Sequence, residues 1–331
     1  MDYYRVLRSK VSFDFVVNTE ITQDLKDEII SNNSAIYFIK SRKKNPLNYF
    51  LQLRKILRNH NYDVIHIHGN SALMSIELLS IKDKDKTIVH GHNVSTDYPL
   101  LNRLLKPYFK KNFQIGIVPT VEAGNFLFEK GQNFQIIPNG IDLKKYVFNP
   151  VAREKIRTSF QFKDEKVIIC VGNFNKQKYQ ELLISIFPKL LEKGVYYVLF
   201  VGAGEKQEQL LKLAREKGVE NQVKFVGSVS DVQNYYSASD IFVLPTHFES
   251  FGIVAVEAQI NGLPCIVSDC IPRIINQTEN LYFAPNDNWD LWLDLILKAS
   301  RKIPKSDISL FDIAKSGEKI FQIYESFGEK R

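Results

Sequence analysis

The sequence predicts an α/β protein built from two doubly wound parallel sheets, and three observations carry that prediction. From Lys166 onward, short apolar runs alternate strictly with amphipathic stretches, the pattern of βαβ units. KVIICV (166–171) after its leading Lys166, YYVLFV (196–201) and IFVL (241–244) are unbroken apolar runs, as strands covered on both faces must be. At 331 residues the chain is long enough for two domains, each with a sizeable core.

The first half reads as follows. Residues 2–10 end a helix, and VSFDFVV (11–17) alternates as a strand does. Residues 21–31 are helical, 35–39 a strand, and 41–44 a basic turn. Pro46 opens a helix with Leu47, Phe50, Leu51 and Leu57 expected on its apolar face. DVIHIH (63–68) is a buried strand, 71–80 a helix, 82–86 a charged loop, and 87–90 a strand ending in Gly91-His92-Asn93. Residues 101–113 form a basic amphipathic helix, with Leu101, Leu104, Leu105, Tyr108 and Phe109 on one side and Arg103, Lys106, Lys110 and Lys111 on much of the rest. Such a helix either packs on its own sheet or lies on a membrane. A strand at 115–119, a helix at 122–130 and a strand at 135–138 complete this half.

A doubly wound domain opens with an apolar strand and a glycine-rich turn, and that first strand is central to the sheet. Neither precedes residues 2–10, so the first sheet is expected to lack its middle. Residues 146–152 read as the linker, with the second domain's elements beginning near Arg153. Strands at 166–171, 196–201, 223–226, 241–244 and 265–267 alternate with helices at 181–193, 206–217 and 232–238, and 310–327 is a closing helix.

Charge is unevenly divided. Residues 1–150 hold 21 Lys and Arg against 14 Asp and Glu, while residues 151–331 hold 23 against 23. A basic half suggests contact with an anionic surface. No aromatic-and-basic RNA signature or recognition helix is present, so an anionic membrane is the expected partner rather than nucleic acid. No run approaches the roughly 18 apolar residues of a membrane span, and MDYYRVLRSK has no apolar signal core. Three cysteines, Cys170, Cys265 and Cys270, suit a reduced cytoplasmic protein, peripheral on the inner membrane face at most. His66, His68, His90 and His92 form H-x-H pairs at strand ends, but no nearby Cys or carboxylate completes a metal set; no metal is expected.

The stretch DIFVLPTHFESFGIVAVEAQINGLPCIVSD (240–269) carries the chemistry, and it reads as strand, loop, helix, strand. Gly252 opens the helix and Asn261-Gly262 closes it. A loop entering a helix at the carboxyl end of a parallel strand is where α/β proteins bind ligands. The N–H groups of Ser250, Phe251, Gly252 and Ile253 are suited to an anion, and Glu249 and Glu257 to hydroxyls. Spacing alone leaves open that both glutamates only stabilise the helix dipole.

E-S-F-G-x-x-x-x-E followed by A-x-x-x-G-L-P-x-I-x-S-D resembles the signature of the retaining GT-B glycosyltransferases of family 4 (group 1). Within that family it looks most like the bacterial exopolysaccharide and capsular polysaccharide transferases. Residues 63–68, 138–142, 171–178 and 201–205 fall in the family's order. The resemblance implies a GT-B fold: two Rossmann-like domains facing across a cleft, at 1–147 and 148–310, with a helix at 311–331 crossing back. It implies a nucleotide-sugar donor, UDP favoured over GDP, no other cofactor, and a lipid-linked or oligosaccharide acceptor. By that resemblance Lys178 and the dipole neutralise the diphosphate, a phosphate oxygen deprotonates the acceptor, and Glu249 contacts the transferred hexose. Glu257 then holds the ribose, and His92 bonds donor or acceptor. Gly172, Gly202 and Gly204 let the backbone approach the donor, and Asn173 is a further donor-binding candidate. Asn173 replaces the family's usual arginine, Tyr179 its usual glycine, and the glycine-rich loop is missing. These departures leave a catalytically impaired, nucleotide-sugar-binding remnant as the rival to an active enzyme. A dehydrogenase is excluded, because no G-x-G-x-x-G follows a first strand.

Overall fold

The computed structural model describes residues 1–42, 45–128, 134–301 and 308–328. The expected turn at 41–44 and helix at 122–130 therefore lie outside the described residues at 43–44 and 129–130. The chain divides into two compact units, Met1–Gly140 with Phe311–Arg331, and Ile141–Leu310.

In the first unit the strands are β1 (Asp14–Val17), β2 (Ala35–Phe38), β3 (Ile65–Gly69), β4 (Thr87–Gly91), β5 (Ile115–Val118) and β6 (Phe134–Ile136). They make two separate parallel sheets, β1-β2 and β3-β4-β5-β6. Among the described residues no ladder joins β1 to β3, so the gap expected in the middle of the first sheet is present. Side chains span it instead. The Tyr62 hydroxyl donates to Asp14 Oδ2 at 2.8 Å, and Phe13 meets Tyr324 edge-on at 6.4 Å. Helix Asp2–Leu7 packs against helix Ile313–Gly328, and its buried Leu7 joins Ile88, Ile117 and Ile320 in one apolar cluster. Burying these residues ties the chain's two ends to the four-stranded sheet.

Two helices in this unit face differently from expectation. Helix Pro46–Asn59 buries Tyr49 and Leu53, with Ile56 and Leu57 packed beside them, whereas Leu47 and Leu51 are exposed. Both stripes have helical spacing, and the neighbouring helix Ser75–Ser80 selects which one is covered. Helix Pro99–Phe109 sends Leu105, Tyr108 and Phe109 into the core but leaves Leu100 83% and Leu104 75% exposed. The Lys106 ammonium donates to the Phe126 carbonyl at 3.0 Å, so it serves the fold. The helix expected at 71–80 starts as a 3-10 turn, Ala72–Met74, and the loop at 82–86 contains another, Lys84–Lys86.

The second unit holds β7 (Lys166–Val171), β8 (Tyr196–Val201), β9 (Val223–Gly227), β10 (Ile241–Leu244), β11 (Cys265–Ser268) and β12 (Leu281–Ala284). All are parallel, in the order β12-β11-β10-β7-β8-β9. This is the doubly wound order, which reverses between β7 and β10. Cys170 and Cys265 are buried in their strands, and Cys270 is exposed. The stretch read as linker already contains the start of a helix, Pro150–Ser159, capped by the Asn149 side chain on Ala152 N–H at 3.0 Å. Arg153 and Arg157 from that helix pair with Asp240, just ahead of β10.

Candidate functional site: the switch point of the second sheet

Loops leave the carboxyl ends of β7 and β10 side by side, because those strands are paired through Ile241–Ile168 and Phe242–Ile169. That is the topological switch point, where the adjoining helices diverge and leave a crevice. The β7 loop brings Lys178 and the β10 loop brings Glu249; Lys178 Nζ and Glu249 Oε2 are 2.5 Å apart, with 15% and 13% of the side chains exposed. The two loops are laced together: Gln177 Nε2 donates to the Phe248 carbonyl at 2.9 Å, and His247 N–H to the Gln177 carbonyl at 2.8 Å.

Glycines form the floor. Gly172 has φ +148° and Gly202 φ +139°, and a Cβ on Gly202 would lie 2.1 Å from the Gly172 carbonyl oxygen. A Cβ on Gly204 would lie 2.3 Å from the Phe174 carbonyl oxygen. Only glycine permits these two loops to approach so closely. Across the site, helix Ile253–Ile260 is capped by Gly252 at φ +85°, one residue later than the sequence suggests. A Cβ there would sit 3.6 Å from Glu249 Cγ. Leu263 N–H returns to the Ala258 carbonyl at 3.0 Å past Gly262 (φ +80°), the left-handed ending expected of Asn-Gly.

The family model described as Glycosyl transferases group 1 matches residues 152–307, and that described as Glycosyltransferase Family 4 matches residues 14–145. The chain belongs to the group 1, family 4 glycosyltransferases. It is 26% identical to EpsF of Bacillus subtilis (strain 168), which carries a glycosyltransferase's name, over 91% of this chain and 83% of EpsF. Capsular polysaccharide biosynthesis glycosyltransferase CapH of Staphylococcus aureus is 23% identical over 98% of this chain and 94% of its own. Anabaena HepE, solved in complex with UDP and glucose, superposes with a TM-score of 0.79 at 17% identity, covering 98% of this chain and 94% of HepE. The fold is GT-B.

In the transferase, Lys178, Glu249, Gly172, Gly202 and Gly252 stand together at the switch point. Ser250 N–H is turned to Glu249 Oε1 at 3.2 Å; Phe251 is buried; Ile253 is 39% exposed. Asn173 lies at the start of the β7 loop, its carbonyl accepting from Gln180 Nε2 at 3.1 Å. Glu257 is buried in the helix, its Oε2 accepting from the Tyr236 hydroxyl at 2.8 Å. Burial together with Glu257 raises the Tyr236 phenol's pKa well above its usual value, so Tyr236 is a fixed donor there. His92 belongs to the first unit, where its Nε2 lies 2.9 Å from His68 Nδ1 and burial lowers its pKa.

Tyr179 was not among the candidates. Its φ of +46° is left-handed, which explains why glycine suits the position, and its ring stacks on His247 with centroids 4.2 Å apart. Stacking of about 0.5–1.5 kcal/mol offsets much of the roughly 1–2 kcal/mol backbone strain. The sequence signal was a bulky residue following Lys178 where the resembled family has glycine.

Proposed function

We propose that this transferase moves a hexosyl group from a UDP-sugar, with retention, onto a lipid-linked precursor of a surface polysaccharide. The observation that supports it most is the Lys178–Glu249 pair over a glycine floor at the switch point. An incoming diphosphate competes for the Lys178 ammonium, whose charge then stabilises the leaving nucleotide. The released Glu249 carboxylate accepts from hydroxyls of the transferred sugar, and Glu257 from the ribose. The N-terminal end of helix Ile253–Ile260 adds positive potential there, and no divalent cation is assigned to the diphosphate. An oxygen of the departing phosphate removes the acceptor's proton.

HepE's complex with UDP and glucose supports the donor class, and CapH's name supports a polysaccharide product. The exposed Leu100 and Leu104, beside Arg103, support docking of the first unit on an anionic membrane. A panel of UDP- and GDP-sugars read by thermal shift tests the donor assignment: stabilisation by UDP-sugars supports it, and stabilisation by GDP-sugars alone overturns it. The alternative is a binding remnant without turnover, favoured by Asn173 in the β7 loop and by the divided first sheet. Loss of one of two phosphate cations weakens the transition state by about 2–4 kcal/mol. Donor binding without donor consumption supports the remnant.

A further inference from the structure

Strands β3 and β4 are paired so that His68 stands directly opposite His90. Side chains two apart on a strand share a face, which places His66, His68, His90 and His92 together on one side of the sheet. Ring centroids are 4.3 Å apart for His66–His68, 5.0 Å for His68–His90 and 4.4 Å for His90–His92. His66 Nε2 lies 3.3 Å from His90 Nδ1. One nitrogen from each of His66, His68 and His90 falls within 4.8 Å of the others. His90 is 0% exposed, and its Nε2 has no hydrogen-bond partner among the described residues. Keeping such a ring in the core is costly, and a bond from its other nitrogen, Nδ1, to a bound ion would offset that cost.

We propose that His66, His68 and His90 form a binding site for one Zn²⁺ ion that staples β3 to β4. Imidazole suits zinc, and three protein ligands with an open fourth position are a complete set. Tetrahedral bonds of about 2.0–2.1 Å require nitrogens roughly 3.3–3.5 Å apart, so the widest gap closes by up to about 1.5 Å. The fourth position takes water or hydroxide, which also moderates the ion's charge in a cluster without carboxylates. Tyr324 supplies the outer support that zinc-binding imidazoles need, its hydroxyl 2.7 Å from His66 Nδ1. That contact fixes the ring so that Nε2 faces His90. The sequence discouraged this reading because it sought a cysteine or carboxylate nearby, whereas strand register supplies the third ligand from 22 to 24 residues away.

The test uses tag-free full-length protein stripped with chelator. Co²⁺ is titrated while visible absorption is followed, and Zn²⁺ is titrated by calorimetry. The expected result is one equivalent bound with a tetrahedral Co²⁺ spectrum, and a melting temperature that rises with Zn²⁺. His68→Gln, at the most exposed of the three, is expected to weaken binding at least tenfold and to abolish the thermal shift. His66→Gln is expected to do the same, whereas His60→Gln and Cys270→Ser leave binding unchanged. Uptake below one equivalent by the wild type overturns the proposal. So does uptake that His68→Gln and His66→Gln leave intact. In either case the four imidazoles are a stacked ladder in the fold.

Discussion

Lys178→Ala and Glu249→Gln separate the two halves of the proposed donor site. The ammonium and carboxylate are 2.5 Å apart and mostly sheltered, at 15% and 13% exposure. Removing the ammonium leaves a sheltered carboxylate unpaired, a loss of about 1–3 kcal/mol in stability. It also removes a charged hydrogen bond to the diphosphate, about 1.5–3 kcal/mol, or roughly ten- to hundredfold in UDP affinity. Glu249→Gln acts in the opposite direction on bare UDP: the amide keeps the shape but releases Lys178 from its competitor, so affinity holds or rises. Turnover nevertheless falls at least tenfold, about 1.4 kcal/mol, because the sugar contact is lost. Calorimetry with UDP and steady-state donor consumption measure the two quantities. Unchanged UDP affinity in Lys178→Ala, or equal losses of UDP affinity in both variants, refutes this division of roles.

Glu257→Ala is expected to weaken UDP binding at least a few-fold by removing a ribose acceptor, an effect that calorimetry with uridine localises to the nucleoside. Hydrogen exchange is expected to be roughly a hundredfold faster in β1 and β3 than in β7 and β8, whose ladders continue on both sides. Equal protection in the two units would show that the divided first sheet carries no weakness. Leu100→Asp with Leu104→Asp is expected to lower sedimentation with anionic vesicles at least tenfold and leave UDP binding intact. Vesicle binding insensitive to that change and to salt counts against membrane docking.

The second unit was the more legible in sequence. Most of its strands are apolar runs of four to six residues between turn signals, and 166–171, 196–201 and 241–244 match their observed limits; Lys224 interrupts β9, and β12 was not among the expected strands. The helix Pro150–Ser159 was legible as well, in Asn149-Pro150, but was masked by reading 146–152 as a linker. Helix faces in the first unit were not legible. Leu47 and Leu51 repeat as regularly as Tyr49 and Leu53, and only the packed neighbour distinguishes them. At the site, residue types could be chosen from the motif, but the Lys178–Glu249 contact spans 71 residues and follows from sheet order. Tyr179 shows the same limit: its left-handed backbone and its His247 partner are properties of the folded loops.

The measurement that tests the central claim most directly is product analysis with UDP-hexoses and lipid-linked sugar acceptors, by mass spectrometry and by NMR of the new anomeric proton. The expected result is stoichiometric release of UDP with one hexose added in the α configuration of the donor, and at least tenfold less product from Glu249→Gln. Tight UDP-sugar binding by the wild type with no donor consumed would contradict it, as would product formation that Glu249→Gln and Lys178→Ala leave unchanged.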